Sequence, residues 1–148
     1  MINLDNNRLQ EKIDELENYL RELEEYLPEQ EEDYLNNGLR KRACERAFQL
    51  ACENLLDICN LIISEKGFGM PSDSKDSIRK LVENRVLPAS LSTRLEELVG
   101  FRNLLVHQYG RVDDSRAFSH LHLESKDFYE FIEIIDAYIE HETERRQE

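Results

Sequence analysis

The stretch CERAFQLACENLLDICNLI, residues 44–62, decides the fold class of this 148-residue chain. Its apolar residues alternate spacings of four and three, which is the period of one buried face of an α-helix. The residues on that face are Cys44, Phe48, Ala51, Leu55, Ile58 and Ile62. We therefore predict a helix over about residues 33–64, with this face in the core.

The same spacing recurs outward from this helix toward both ends of the chain. It predicts four further helices, over about residues 4–27, 75–85, 88–109 and 125–145. Gly110 offers a stop for the helix that Pro88 opens, and the segment RVDDSRAFSHLHLES at 111–125 is predicted to be an irregular connector. Short loops and no convincing strand predict one all-α domain over residues 1–148, an up-and-down helical bundle of about five helices.

The charge of the chain is concentrated at its ends. The net charge is −13, with −9 in residues 1–33 and −6 in residues 124–148, while residues 34–123 carry a net +2. Such a balance argues against broad attraction to nucleic acid, so any RNA contact belongs to the middle and needs a local cluster of arginines. From the basic cluster at residues 40–46 we single out Arg42 and Arg46 as candidate RNA-binding residues. A solvated face with ordinary ion pairs is the alternative.

The cysteines and the apolar runs bear on compartment and cofactors. Three cysteines without a CxxC pair argue against a disulfide framework and against a zinc site, so buried free thiols are expected at Cys44, Cys52 and Cys59. His120 and His122 lack the partners that a metal site would need, and we expect neither metal nor cofactor. The N-terminal residues have no secretory pattern and no apolar run reaches about 20 residues. A cytoplasmic protein without a membrane partner is expected.

The helix over 88–109 departs from a generic pattern. Arg102 occupies its apolar stripe, where loss of hydration is unfavourable for the charge unless a partner or an anion meets it. Five residues later comes His107, and histidine is the side chain that most readily exchanges protons near neutral pH. An arginine that reaches solvent along its stem and a structural histidine are the bland alternative.

The run GFRNLLVHQYG, residues 100–110, contains Arg102 and Asn103 followed by His107, Gln108 and Tyr109. It resembles the R-x4-6-H motif of HEPN domains, in the extended form ending H-x-Y that marks HepT-like proteins. The order of the surrounding helices and loops is similar as well, and the resemblance covers about residues 33–140. A HEPN-like bundle is the fold that it implies.

The resemblance implies a metal-independent endoribonuclease toxin of a type VII HEPN/minimal nucleotidyltransferase toxin–antitoxin system. Arg102 and His107 would be the catalytic pair, with Asn103 supporting them. It also implies a homodimer whose cleft joins two copies of the motif. The implied partner is a small nucleotidyltransferase antitoxin that transfers AMP from ATP to Tyr109, the modification site.

The spacing leaves the arrangement of the pair open. Residues five apart on a regular helix point about 140° away from each other. Either Arg102 reaches round the helix, or the helix loosens before Gly110, or the two residues belong to clefts completed by different subunits. Two other functions also remain: a catalytically silent helical module that docks a nucleotidyltransferase and is modified by it, and a plain structural bundle.

Overall fold

Six helices make up the part of the chain that this computed structural model describes, residues 6–107 and 113–147. They are α1 (Asn6–Tyr26), α2 (Glu31–Leu35), α3 (Gly38–Lys66), α4 (Ser74–Glu83), α5 (Ala89–His107) and α6 (Asp114–Gln147). No strand occurs in those two ranges, so the predicted all-α bundle is confirmed, with six helices where about five were expected.

Helix α3 is the central helix, because each of the other five helices contacts it. The face predicted from residues 44–62 is buried along its whole length, at 0–1% exposure. Its main partner is α1, which is amphipathic: a leucine-rich stripe turns inward and the acidic residues turn outward. The α1 residues in the core are Leu9, Ile13, Leu16, Leu20 and Leu23. Each such side chain contributes roughly 1.5–3 kcal/mol when fully buried.

The single helix predicted over about residues 33–64 is two helices in the structure. Residues 33–64 were expected to form one element, but α2 ends at Leu35 and α3 begins at Gly38. Asn37 separates them: its backbone is extended, and its side-chain oxygen accepts a hydrogen bond of 3.0 Å from the Arg40 N–H, so it caps α3. The short α2 is held by Tyr34, which is fully buried and packs against Phe118 of α6.

The prediction of an irregular connector at 111–125 was wrong from Asp114 onward. Helix α6 begins there, and the Asp113 carboxylate caps it by accepting from the N–H groups of Ser115 and Arg116. The buried face of α6 follows the same four/three spacing through Ala117, Leu121, Glu124, Phe128, Phe131 and Ile135. The charged residue Glu124 interrupts the apolar periodicity of that stripe, so the sequence pattern did not predict a helix there.

A chain of aromatic rings fixes α5 and α6 against α3. Phe48 of α3 meets Phe101 of α5 and Phe128 of α6 edge-on, with ring centroids 5.2 Å and 5.8 Å apart. Phe101 stacks in turn on His120 of α6, at 5.0 Å. Near the other end of α5, Arg94 pairs with Asp127. The two helices therefore run antiparallel, and their registers are set at both positions.

The outer faces of α1 and of the C-terminal half of α6 form one acidic side. Asp14 and Glu17 of α1 lie close enough to Asp136 of α6 to raise the pKa of its carboxyl, an effect that adds to that of burial. Tyr129 donates a hydrogen bond to Glu24 across the same pair of helices. The two acidic ends of the sequence thus lie side by side in space.

One described helix, α3, is long and apolar enough to cross a membrane by length and composition alone. In the bundle 61% of its most apolar window is buried by the other helices, as in the core helix of a globular fold. Its apolar residues therefore already have partners within the chain.

Candidate functional site

Helix α5 carries the three predicted catalytic residues and is a regular α-helix through His107. Its stripe is buried at Leu91, Leu95, Leu98 and Leu105. The alternative of a helix that loosens before Gly110 is excluded only as far as His107, since residues 108–110 lie outside the described ones. A long reach by Arg102 and clefts completed by a second subunit also remain. Tyr109, the predicted modification site, and Gly110 lie outside the described residues.

Arg102 is half-buried in the seam where α5 meets α3 and α6. Its Nε is buried and has no hydrogen-bond partner, and within residues 6–107 and 113–147 no carboxylate forms an ion pair with its guanidinium. It lies close to Cys52 of α3: burial raises the pKa of that thiol, and the positive charge of Arg102 acts against the rise. A charge in this position without a partner meets the condition for an anion-binding residue.

His107 and Asn103 occupy another face of α5. Asn103 is half-buried and His107 is exposed. They are four residues apart on a regular helix and therefore share a face, whereas His107 diverges from Arg102 by about 140°. Among the described residues no hydrogen bond joins Arg102 to His107. A single chain thus brings Asn103 and His107 together, but not Arg102 and His107.

The two predicted RNA-binding arginines, Arg42 and Arg46, are exposed and share one face of α3. Lys41, next to them, forms an ion pair of 2.9 Å with Asp114, the first residue of α6. The start of the basic cluster at residues 40–46 therefore lies beside the first residue of α6. Burial and Asp114 raise the pKa of Glu45 in this cluster, and Lys41 and Arg42 oppose the rise.

Two residues of α6 that the sequence analysis did not select, His120 and Glu124, lie near the same seam: His120 stacks on Phe101, and Glu124, like Arg102, is close enough to Cys52 to act on the pKa of its thiol. Glu124 of α6 is 7% exposed, and its Oε1 accepts a hydrogen bond of 2.9 Å from His120 Nδ1, while its Oε2 has no partner. Burial raises the pKa of Glu124, the hydrogen bond to His120 lowers it, and Asp127 and Glu97 raise it again. Glu124 also acts on the pKa of the Cys52 thiol. The signal in the sequence was a charged residue at a stripe position, the same signal that singled out Arg102.

Arg94 shows what a structural arginine on the same helix looks like. Its guanidinium forms ion pairs with Asp127 at 2.6 Å and with Glu130 at 2.8 Å, and Asp127 is buried. The contact with Arg94 lowers the pKa of Glu130. The buried Asp127 carboxylate has the same guanidinium as its cationic partner. Arg94 is therefore committed to joining α5 to α6, whereas Arg102, two turns further along, is not.

All three cysteines are buried free thiols, as predicted. Burial raises the pKa of Cys44 to about 11, and that of Cys59 rises for the same reason. Across residues 6–107 and 113–147 no cluster of three or more metal-ligating side chains occurs. The site consists of one arginine, histidines, an amide and a buried carboxylate.

The sequence matches known proteins over most of its length. A family model described as Ribonuclease HepT-like matches residues 16–135. An mRNA nuclease HepT from Shewanella oneidensis is 34% identical over 89 residues, which cover 60% of this chain and 67% of that protein. A tRNA nuclease HepT from Aphanizomenon flos-aquae is 24% identical over 108 residues, or 73% of this chain and 74% of that protein.

Solved structures with the same fold include a toxin bound to its antitoxin. The tri-AMPylated HEPN toxin of Shewanella oneidensis, in complex with an MNT antitoxin, is similar with a TM-score of 0.82 and 25% identity, covering 87% of this chain and 96% of that one. A cytosolic protein of unknown function from Bacillus subtilis has a TM-score of 0.82 at 22% identity, covering 96% and 95%. The second likeness concerns the fold alone.

The unpartnered charge of Arg102 predicts an unusual response to substitution. Replacing Arg102 by Leu should raise the free energy of unfolding by about 1 kcal/mol, because an apolar side chain suits the stripe and no ion pair is lost. The matched control is Arg94→Leu, which leaves the buried Asp127 carboxylate unpaired and should lower the urea midpoint. Urea denaturation followed by circular dichroism measures both. A loss of stability in Arg102→Leu as large as that in the control would mean that Arg102 has a structural partner.

Proposed function

The chain belongs to the HepT-like ribonuclease family, and we propose that it is the endoribonuclease toxin of a toxin–antitoxin pair. One observation supports this most: Arg102, inside the matched region, holds a half-buried positive charge that no described side chain neutralises. Such a charge is suited to a phosphate group. The family, and the relatives that are named as nucleases, support the proposal that this phosphate group belongs to RNA. We expect the chain to act in the cytoplasm, where its target would be found.

The proposed reaction follows from the residues. RNA carries its own nucleophile, the 2′-OH, next to the scissile phosphate, so cleavage needs a base for that hydroxyl, an acid for the leaving 5′-oxygen and a cation for the charge on the phosphorane. Arg102 is the cation, His107 exchanges a proton, and Asn103, on the face of His107, orients it or the substrate. No step requires a metal ion.

RNA affinity would come from local contacts, because the net charge of −13 repels the substrate at a distance. Arg42 and Arg46 are exposed on one face of α3. Lys41 and Asp114 connect that part of α3 to the start of α6, close in sequence to the motif. We propose that Arg42 and Arg46 bind the RNA backbone on its way to Arg102.

A catalytically silent binding module is the second candidate. The divergence of Arg102 and His107 on a regular α5 favours it, as does the strong net negative charge. In that case the chain would dock a nucleotidyltransferase and be modified by it without cleaving RNA. The two candidates separate on one property, which is RNA cleavage by the purified chain.

The first prediction is loss of cleavage in motif variants. Arg102→Ala or His107→Ala should lower the rate of RNA cleavage by at least about 10²-fold and remove toxicity in cells, with unchanged helical circular dichroism. The controls Arg21→Ala and His141→Ala replace exposed residues far from the motif and should keep wild-type activity. Excess EDTA should leave the rate unchanged. Inhibition by EDTA that a divalent ion reverses would contradict the metal-independent mechanism.

The second prediction concerns oligomeric state. We propose a homodimer with the α5 helices near the twofold axis, because Arg102 and His107 diverge within one chain and a symmetric partner completes both clefts. Light scattering at micromolar concentration should give twice the chain mass of 17.6 kDa. A monomer that cleaves RNA at full rate would exclude the composite cleft.

The third prediction concerns the antitoxin. The Shewanella toxin is AMPylated and bound to an MNT antitoxin, and we propose that a small nucleotidyltransferase transfers AMP from ATP to Tyr109 of this chain. The adenylyl group adds a phosphodiester anion and a bulky nucleoside two residues after His107, which would block RNA from the motif.

Incubation with the nucleotidyltransferase encoded next to this chain and with ATP should add mass in whole-AMP steps and abolish cleavage. Tyr109→Phe should stay unmodified, active and toxic in the presence of that enzyme. Tyr129→Phe is the matched control, since this tyrosine lies on α6 and donates a hydrogen bond to Glu24. The Tyr129→Phe variant should be AMPylated and lose RNA cleavage like the wild type. Mass spectrometry that locates AMP on another residue would exclude Tyr109 as the switch.

A further inference from the structure

We propose that His120, held by Glu124, is a second catalytic histidine of this chain and acts as the general acid that protonates the leaving 5′-oxygen of RNA. This inference rests on the proposed ribonuclease function and adds a residue to it. The motif supplies one histidine, His107, for a reaction with two proton transfers. His120 supplies the other, from the chain that carries Arg102.

The geometry of His120 is that of an oriented acid–base residue. Its Nδ1–H donates to Glu124 Oε1 at 2.9 Å, and its side chain is 45% exposed while that of Glu124 is 10% exposed. The carboxylate therefore fixes the orientation of the ring, as the buried carboxylate of a Ser-His-Asp triad does. In the described residues Nε2 has no hydrogen-bond partner, so it is the nitrogen left for a substrate.

The buried carboxylate of Glu124 has little structural justification. Its Oε2 is buried without a partner, although burial of a carboxylate is unfavourable unless its oxygens are satisfied. Asp127, three residues later, shows the structural solution, because its carboxylate pairs with Arg94 and joins two helices. Within the described residues Glu124 forms no hydrogen bond or ion pair with another helix. Its hydrogen bond holds His120, four residues earlier.

The dyad of His120 and Glu124 lies near Arg102, which has no ion-pair partner among the described residues. The His120 ring stacks on Phe101, the residue before Arg102, with centroids 5.0 Å apart. Glu124 and Arg102 are both close enough to Cys52 to act on the pKa of its thiol, in opposite directions. The dyad and Arg102 thus border the same part of the core, beside Phe101 and Cys52.

His120 and His107 lie at different positions along the axis of α5. His120 meets α5 at Phe101, and His107 is six residues further along, a rise of about 9 Å. Within one chain His107 points about 140° away from Arg102, so the base that acts with Arg102 and His120 is His107 of the partner subunit in the proposed homodimer. In-line displacement puts the attacking and leaving oxygens on opposite sides of phosphorus, which suits a base and an acid carried by different chains.

His120 also opens onto a surface groove. The groove has a volume of about 380 Å³, and its other lining residues are Glu31, Ser115, Arg116, Ser119 and Leu123. Arg116 is exposed and precedes His120 by four residues, so both are on one face of α6. An RNA phosphate next to the scissile one fits this guanidinium, with the serine hydroxyls as further hydrogen-bond donors.

The proposed step is balanced without a cofactor. His107 takes the proton of the 2′-OH, whose oxygen forms the new bond to phosphorus. The bond from phosphorus to the 5′-oxygen breaks, and that oxygen receives the proton of His120 Nε2. The products are a 2′,3′-cyclic phosphate and a 5′-hydroxyl, and water exchanges the protons on the two imidazoles back to their starting states.

An RNA whose leaving group needs no proton tests this assignment. The cleavage site is mapped on total bacterial RNA, and two oligonucleotides are made across it, one ordinary and one with sulfur in place of the bridging 5′-oxygen. A thiolate leaves without protonation. His120→Ala should therefore slow the ordinary RNA by about 10²–10⁴-fold yet cleave the sulfur-linked RNA at nearly the wild-type rate. His107→Ala should slow both.

The controls separate a chemical role from a structural one. Glu124→Gln should give the pattern of His120→Ala with a smaller loss, about tenfold. His122→Ala, on the same helix, removes a hydrogen bond to the Pro28 carbonyl and an edge contact with the Phe118 ring, and should cleave both RNAs like the wild type. If His120→Ala unfolds by circular dichroism, His120→Gln is measured in its place. Wild-type cleavage of ordinary RNA by the His120 variant, or equal losses on both RNAs, overturns the proposal. A wild type that cleaves neither RNA overturns the ribonuclease function itself.

Discussion

Burial of the apolar face of helix α3 is the constraint on which this structure depends. Every other helix in the described part of the chain packs onto it, and the chemistry is placed by the same contacts that make the core. Phe48 holds Phe101 and Phe128 in register, and Cys52, one turn later, is close enough to Arg102 and Glu124 for both charges to act on the pKa of its thiol. The core contacts therefore set the positions of these charged residues.

The two charged residues in that seam are of opposite sign, yet they do not neutralise each other. Arg102 lacks an ion-pair partner and one oxygen of Glu124 lacks a hydrogen bond, within the residues described. A fold selected for stability alone would place apolar residues at both stripe positions. Polar groups left unsatisfied inside a well-packed seam are typical of sites that meet their partner only when a substrate arrives.

The sequence predicted the helices wherever their stripes were apolar, and the prediction was wrong where a polar residue intervened. Asn37 caps α3 and so divides an element that periodicity alone joins, and Glu124 concealed the first three turns of α6. The motif located Arg102 and His107 on one helix, but only the packing of α6 against α5 brings His120 to Phe101, across a sequence separation that no local pattern spans. The role of Tyr109 stays a prediction.

The acidic side formed by α1 and the C-terminal half of α6 gives the molecule a polarity. The leucines on the inner face of this side pack into the core, while its outer carboxylates produce an electrostatic field that repels a polyanion. We expect this field to disfavour the approach of the proposed RNA substrate to that side, whereas the exposed Arg42 and Arg46 of α3 offer it positive charge. A chain with an overall charge unfavourable to its proposed substrate would thus still favour productive orientations, and a basic protein partner would bind most favourably to the acidic side.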